Sequence, residues 1–201
     1  MIHPDTQVKH INKNIGLGVF ATRFIPIGTI VYVQDKLERI LLRDDPLIYN
    51  TDYYETIEKY SFTDKNGNRV ISWDHAKYVN HNCNANTLCT GWEFDVTVTD
   101  IVPGQELSCD YGLLNIEKEM ACVCGELNCR LLIKPSDIDQ FAGKWNVKIK
   151  KVLENLPKVE QPLQKYFSAE LVNDVLHFLL TGEGYKSVSA LKYTANISES
   201  K

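Results

Sequence analysis

The chain has no apolar run approaching the roughly 20 residues that cross a bilayer, which excludes a helical membrane span. Its first residues, Met1-Ile2-His3-Pro4-Asp5, lack the basic start and apolar stretch of a secretion signal. The expected setting is therefore intracellular, cytoplasm or nucleus. A positive surplus is missing too: 22 Lys and Arg face 26 Asp and Glu, a net charge of −4. Phosphate backbones are bound by concentrated positive charge, so direct nucleic-acid binding is not expected. No internal repeat is visible, which sets aside solenoids and propellers.

The charge is unevenly spread. Residues 1–135 hold thirteen basic against eighteen acidic side chains, and residues 136–201 hold nine against eight. An acidic front suits a basic protein or peptide substrate, because opposite potential steers encounter. A plain solvated acidic surface accounts for the same numbers. With 44% hydrophobic and 24% charged residues the chain is ordinary globular material, long enough at 201 residues for one substantial domain and a smaller appendage.

The first two thirds read as short strands and turns, a mostly β fold with short helices. Pro26-Ile27-Gly28 is a turn before the β-rich Thr29–Val33. Asp64-Lys65-Asn66-Gly67-Asn68 separates Tyr60-Ser61-Phe62 from Arg69–Trp73, and an Asn-Gly between β-prone runs predicts a hairpin. Phe94–Ile101 alternates apolar and polar, as a half-buried strand does. After Pro135 the texture becomes helical. Ser136 is placed to cap a helix carrying Phe141, Trp145 and Ile149 on one face. Ser168 is placed to cap a second, with Leu171, Val175, Phe178 and Leu179 facing inward and Gly182 as its stop. From Glu183 onward the polar residues predict a loosely held tail.

Six cysteines are present: Cys83, Cys89, Cys109, Cys122, Cys124 and Cys129. Half fall within eight residues, which points to metal rather than to disulfides. Cys89 reads as a small packed residue.

Three segments bear on chemistry. Gly16-Leu17-Gly18-Val19-Phe20-Ala21 has glycines that let backbone approach a ligand, although most such segments are turns and no Rossmann strand and helix surround this one. Tyr78-Val79-Asn80-His81-Asn82-Cys83-Asn84-Ala85-Asn86 is rich in amides, and alone favours an Asn-rich surface turn. Gly104-Gln105-Glu106-Leu107-Ser108-Cys109-Asp110-Tyr111-Gly112 sets a Tyr beside an Asp, usually a structural hydrogen-bond pair.

Together, in this order and at these separations, the segments resemble the SET-domain family of protein lysine methyltransferases. That family's pattern runs from a Gly-x-Gly cofactor loop through Asn-His-x-Cys-x-x-Asn to Glu-Leu-x-x-Asp-Tyr-Gly. The resemblance implies a SET-domain β-fold with a pseudoknot over 8–115, a post-SET zinc-binding segment over 116–134, and a small C-terminal helical extension over 135–201. Cys122-x-Cys124-x₄-Cys129 has the post-SET spacing, and the family takes its fourth zinc ligand from the position of Cys83. The implied cofactors are S-adenosyl-L-methionine and one structural Zn²⁺.

By the same resemblance Tyr111 is the catalytic tyrosine. Gly16, Leu17, Gly18, Tyr60, Asn80 and His81 bind the cofactor, and Asp110 and Glu106 support the knot. The position two before the tyrosine, usually Phe or Tyr and limiting how many methyl groups the product carries, is Cys109. Its small side chain implies di- or trimethylation. Gln34 stands where the family often has Tyr, and no cysteine-rich segment precedes residue 8. The implied activity is lysine N-methylation of a basic protein, a histone tail being one candidate. A catalytically silent SET-fold peptide-binding module is the alternative, and a homodimer through the C-terminal helices is left open.

Overall fold

The computed structural model describes residues 1–194. Its sheet-rich front is built from short pieces. A four-stranded sheet has the order β1 (Thr6–Asn12), β2 (Gly16–Ala21), β10 (Glu106–Cys109), β7 (Asn80–His81). A three-stranded sheet places β9 (Phe94–Thr97) between β3 (Ile30–Val33) and β8 (Thr87–Cys89). In a second one β6 (Arg69–Ile71) lies between β4 (Arg39–Leu41) and β5 (Ser61–Thr63). A small pair joins β11 (Met120–Ala121) to β12 (Leu132–Ile133). The helices are α1 (Tyr54–Tyr60), α2 (Asp137–Leu153) and α3 (Ala169–Thr181). No helix is long and apolar enough to cross a membrane among the described residues.

Local chemistry accounts for these elements. Asn12 accepts hydrogen bonds from the N–H groups of Asn14 and Ile15, closing the β1–β2 turn. The expected hairpin forms between β5 and β6, where Asp64 accepts from the backbone of Asn66 and Asn68 and Gly67 takes a φ of 83°. Tyr60, expected beside that strand, instead ends α1. Ser168 caps α3 by accepting from Leu171 N, and Gly182 ends the helix at φ 77°. Ser136 precedes α2 as expected but has helical backbone angles, and its side chain caps nothing. The first turn of α2 is stabilised by Asp137 and Asp139 and its last by Lys150 and Lys151, matching the helix dipole.

The knot is visible in pairing. β10 lies antiparallel to β2, through Leu107 opposite Val19, and parallel to β7, through Cys109 opposite His81. Asn86 tightens the crossing: its amide donates to Glu106 O at 2.8 Å and accepts from Ser108 N at 2.8 Å. The amide-rich segment divides in two: Asn82 accepts from Asn84 N in a turn with Asn84 exposed, as it suggests on its own, whereas the buried Asn86 is internal scaffolding, because buried amides persist only when partnered.

The helical extension shares the main core. Ile138, Trp145, Ile149, Leu153 and Val175 pack with Ile30, Leu88, Phe94 and Val96 of the β3-β9-β8 sheet. Leu171, Phe178 and Leu179 cover the same cluster, leaving Leu176 and Leu180 exposed on α3. The loosely held tail expected from Glu183 is corrected: Val188 is fully buried and Leu191 nearly so. Asn146 accepts from the Tyr185 hydroxyl and from Val188 N, and Asn115 holds Leu191 O and Tyr193 N. Residues 195–201 of that expectation lie outside the described residues.

Candidate active site

The site begins where β2, β7 and β10 meet. Asn80 Nδ2 donates to Leu17 O at 3.0 Å and to Glu106 Oε1 at 2.8 Å, so one amide joins all three strands. Gly18 leaves little room there: a Cβ would stand 2.7 Å from Glu106 Oε1 and 2.6 Å from Ile11 Cδ1, so these side chains would have to move. Gly16 is different. Its φ of 86° is left-handed, and nothing lies within 4 Å of where its Cβ would be.

Immediately after β10, Tyr111 is fastened at both ends. Its backbone N–H donates to His81 Nδ1 at 3.1 Å and its hydroxyl donates to Val79 O at 2.9 Å. Burial, then the nearby Cys109 and Glu106, pushes the phenol well above its ordinary value, so Tyr111 is a neutral hydroxyl. His81 is held neutral as well. Burial, followed by the Arg130 guanidinium, brings it down to about 4. With Nδ1 accepting, its proton sits on Nε2, which donates to Cys83 Sγ at 3.3 Å.

That sulfur belongs to a four-thiol cluster. The Sγ atoms of Cys83, Cys122, Cys124 and Cys129 lie within 4.8 Å of one another and can hold a metal ion. Cys83 and Cys122 are 3.7 Å apart, close to the roughly 3.8 Å that tetrahedral zinc with Zn–S bonds of about 2.3 Å imposes. Backbone N–H groups already point at these sulfurs, from Arg130 to Cys83 and from Leu131 to Cys129. Burial alone would raise the Cys124 thiol, but backbone bonds at Cys83 and Glu126 and the neighbouring thiols bring it down to about 7.

Arg130, one residue past the last of these thiols, ties the cluster to everything else. Its guanidinium bonds Asp110 and lies 3.0 Å from Asp137, at the start of α2. It stacks over Phe141 at 5.0 Å and reaches Trp145 at 6.0 Å.

On the other side of Tyr111 opens a cavity of about 410 Å³. Tyr60, Val79, Cys109 and Tyr111 line it, and so does Gln34. Tyr60 stands edge-on to Tyr78 at 5.6 Å. The structure thus divides the expected cofactor residues. Gly16, Leu17, Gly18, Asn80 and His81 gather at the strand junction, while Tyr60 faces the cavity; Tyr111 belongs to both.

Among the cavity residues missed by the sequence reading are Tyr32, Cys89 and Asp95. The alternation around Asp95 marked a polar face, but that face is the cavity wall and not solvent. Arg130 was missed as well, and its only signal was adjacency to Cys129.

Residues 16–112 match the SET domain family. Histone-lysine N-methyltransferase ASHH3 of Arabidopsis thaliana is 30% identical over 96 residues, 43% of this chain and 26% of that protein. Histone-lysine N-methyltransferase trr of Drosophila melanogaster is 31% identical over 136 residues, 59% of this chain and 5% of that one. The chain thus spans about a quarter or less of the length of these curated relatives. Among solved structures, KRYPTONITE in complex with mCHH DNA, an H3(1-15) peptide and SAH is 23% identical, with a TM-score of 0.47 over 66% of this chain and 30% of that one. The methyltransferase domain of human SETMAR is 20% identical, with a TM-score of 0.43 over 67% of this chain and 58% of that one. Over residues 16–112 the chain is similar to the SET domain family, and its sheet-rich fold with short helices is that expected of a SET domain.

Proposed function

We propose that this protein is an S-adenosyl-L-methionine-dependent protein-lysine N-methyltransferase, that its substrate is a basic protein, with histone lysines the first candidates, and that it carries the product to the di- or trimethyl state. The observation that supports this most is the position of Tyr111. It lines the cavity of about 410 Å³ while its backbone is bonded to the Asn80-His81 strand at the glycine junction.

The assigned parts are residues 8–115 as SET domain, 116–134 as post-SET segment and 135–201 as C-terminal helical extension. Gly16, Leu17, Gly18 and Asn80 would hold the cofactor, with Tyr60 contributing from the cavity side. The open space at Gly16 fits backbone contact with a ligand. His81 would contribute through its backbone, because both ring nitrogens already have partners. When bound, the cofactor supplies an electrophilic methyl group on a sulfonium.

The remaining work falls to the chain's own residues. A lysine with its ordinary pKa of about 10.4 arrives protonated and cannot attack. A desolvating channel lowers that value, and fixed walls align the amine. Tyr111, as a neutral hydroxyl, orients the amine without taking its proton. Cys109, buried at the channel wall, leaves room for an amine that already bears methyl groups. The four thiols Cys83, Cys122, Cys124 and Cys129 would hold one structural Zn²⁺ that fastens the post-SET segment to the knot.

The test is incubation with S-adenosyl-L-methionine and core histones, followed by mass spectrometry of the products. Di- or trimethyl lysine from the native chain, shifting to monomethyl in Cys109→Tyr, supports the reading. Exclusively monomethyl product from the native chain at long times contradicts the product assignment. Absence of methylation on histones and on a whole protein lysate leaves a silent peptide-binding module as the better account.

A further inference from the structure

One carboxylate in the cavity differs from the rest. Asp95 sits on β9, directly opposite Tyr32 on β3 and directly opposite Cys89 on β8. Opposed residues in paired strands project to the same face, and all three line the cavity together with Cys109 and Tyr111. The neighbours of Asp95 in sequence, Phe94 and Val96, point the other way into the core.

The other carboxylates lining this cavity have partners. Glu58 and Glu117 bond Arg69, Glu93 bonds Lys65, Glu119 is 3.9 Å from Lys134, and Asp64 accepts from its own turn. Asp95 forms no salt bridge among the described residues; the Cys89 thiol and the more distant N-terminal ammonium favour its charged form, but burial outweighs both. A buried acid without a close counter-charge is costly to keep, and such a cost concentrates at functional sites.

We propose that Asp95 is the proton acceptor for the target amine in this channel. The inference rests on the methyltransferase reading above and adds a residue to it. The arriving ammonium gives one proton to the Asp95 carboxylate: an N–H bond breaks and an O–H bond forms. The freed lone pair then makes the N–CH₃ bond as the S–CH₃ bond breaks, its electron pair staying on sulfur. The positive charge passes from sulfonium to the methylated ammonium, and Asp95 returns its proton to solvent through the cavity mouth. Among the described residues nearest Tyr111, the other polar groups are engaged. Tyr111 is neutral, His81 has both ring nitrogens occupied, and Glu106 is bonded to Asn80.

Burial raises the carboxyl of Asp95 to about 6, a value suited to a base working near neutrality. The groups around it are Tyr32 from β3 with Glu38 bonded behind it, Cys89 from β8, Cys109 and Tyr111 from β10 and the turn beyond it, and the N-terminal ammonium, whose charge also acts on it. The Tyr32, Cys89 and Cys109 side chains, like that of Tyr111, are all pushed above their ordinary values. None of them therefore titrates in the same range.

The experiment is the pH profile of labelled methyl transfer to core histones by the full chain, its Asp95→Asn variant and its Asp95→Glu variant. S-adenosyl-L-methionine binding by calorimetry is measured on all three. The native rate should rise through a limb near pH 6, and Asp95→Glu should keep such a limb. Asp95→Asn should bind cofactor normally yet lose roughly 10²- to 10⁴-fold in kcat at neutral pH. That deficit should narrow as alkaline pH deprotonates the amine directly. A loss in Asp95→Asn that is constant across pH marks a structural role and overturns the proposal, as does an unchanged rate. No transfer by the native chain overturns the methyltransferase reading and this inference with it, whereas an active native chain with an equally active Asn variant overturns this inference alone.

Discussion

The guanidinium of Arg130, one residue beyond a cluster thiol, is bonded to the carboxylate of Asp110, one residue before Tyr111. A single ion pair therefore couples the cysteine-rich segment to the turn that carries Tyr111. Asp110 also accepts from Gly112 N, which shapes the turn in which Tyr111 sits.

Removing that guanidinium leaves Asp110 and Asp137 nearly buried without a counter-charge. Breaking a buried pair from one side costs about 3–5 kcal/mol, so Arg130→Met should lower the denaturant midpoint by that equivalent. The double change Arg130→Met with Asp110→Asn should recover part of it. Equal stability of native chain and single variant would show that water replaces the pair.

The thiol cluster predicts one zinc per chain by elemental analysis. Chelation should expose residues 116–134 to protease and lower the melting temperature, because structural zinc contributes folding free energy. Cys83→Ser should be the most damaging of the four serine variants to activity, since Cys83 alone also receives the His81 proton. Metal-free protein of unchanged melting temperature would contradict the assignment.

At the strand junction, Gly18→Ala would place a methyl group 2.7 Å from Glu106 Oε1 and 3.1 Å from Asn80 Nδ2. The Asn80 bridge must then shift, and S-adenosyl-L-methionine affinity by calorimetry should fall about tenfold or more, in line with one lost polar contact of about 1.4 kcal/mol. Unaltered affinity would remove this junction from the cofactor site.

Asp95 predicts a pH-dependent stability. Its folded-state value of about 6 lies above the ordinary 3.8, so the native chain binds more protons than the unfolded chain between these values. Stability is lost as pH rises through that window. Asp95→Asn should therefore melt higher than the native chain above pH 6, with the gain fading toward pH 4. A stabilised but slow variant is the expected signature of a residue kept for function.

Much of this was legible from residues alone. Ser168 and Gly182 bracket α3 because cap and stop chemistry is local, and Asp64 with Gly67 specify their hairpin for the same reason. The thiol spacing foretold the cluster, and the segments singled out in the sequence are those that place Asn80, His81 and Tyr111 side by side. What escaped was long-range. Asp95 looked like an outward-facing polar residue because alternation reports that a strand has two faces, not what lies against each. Arg130 resembled any surface arginine until α2 folded over it. The segment after Glu183 is polar in composition, yet Val188 and Leu191 are inserted into a core formed by residues far away in sequence.

Transfer of labelled methyl from S-adenosyl-L-methionine to core histones and to a protein lysate, with the native chain and Tyr111→Phe compared, decides whether this protein is a lysine methyltransferase. Label on lysine with the native chain, abolished or nearly so by Tyr111→Phe while cofactor binding persists, is the predicted result. Undiminished transfer by Tyr111→Phe, or no transfer and no cofactor binding by the native chain, would contradict it.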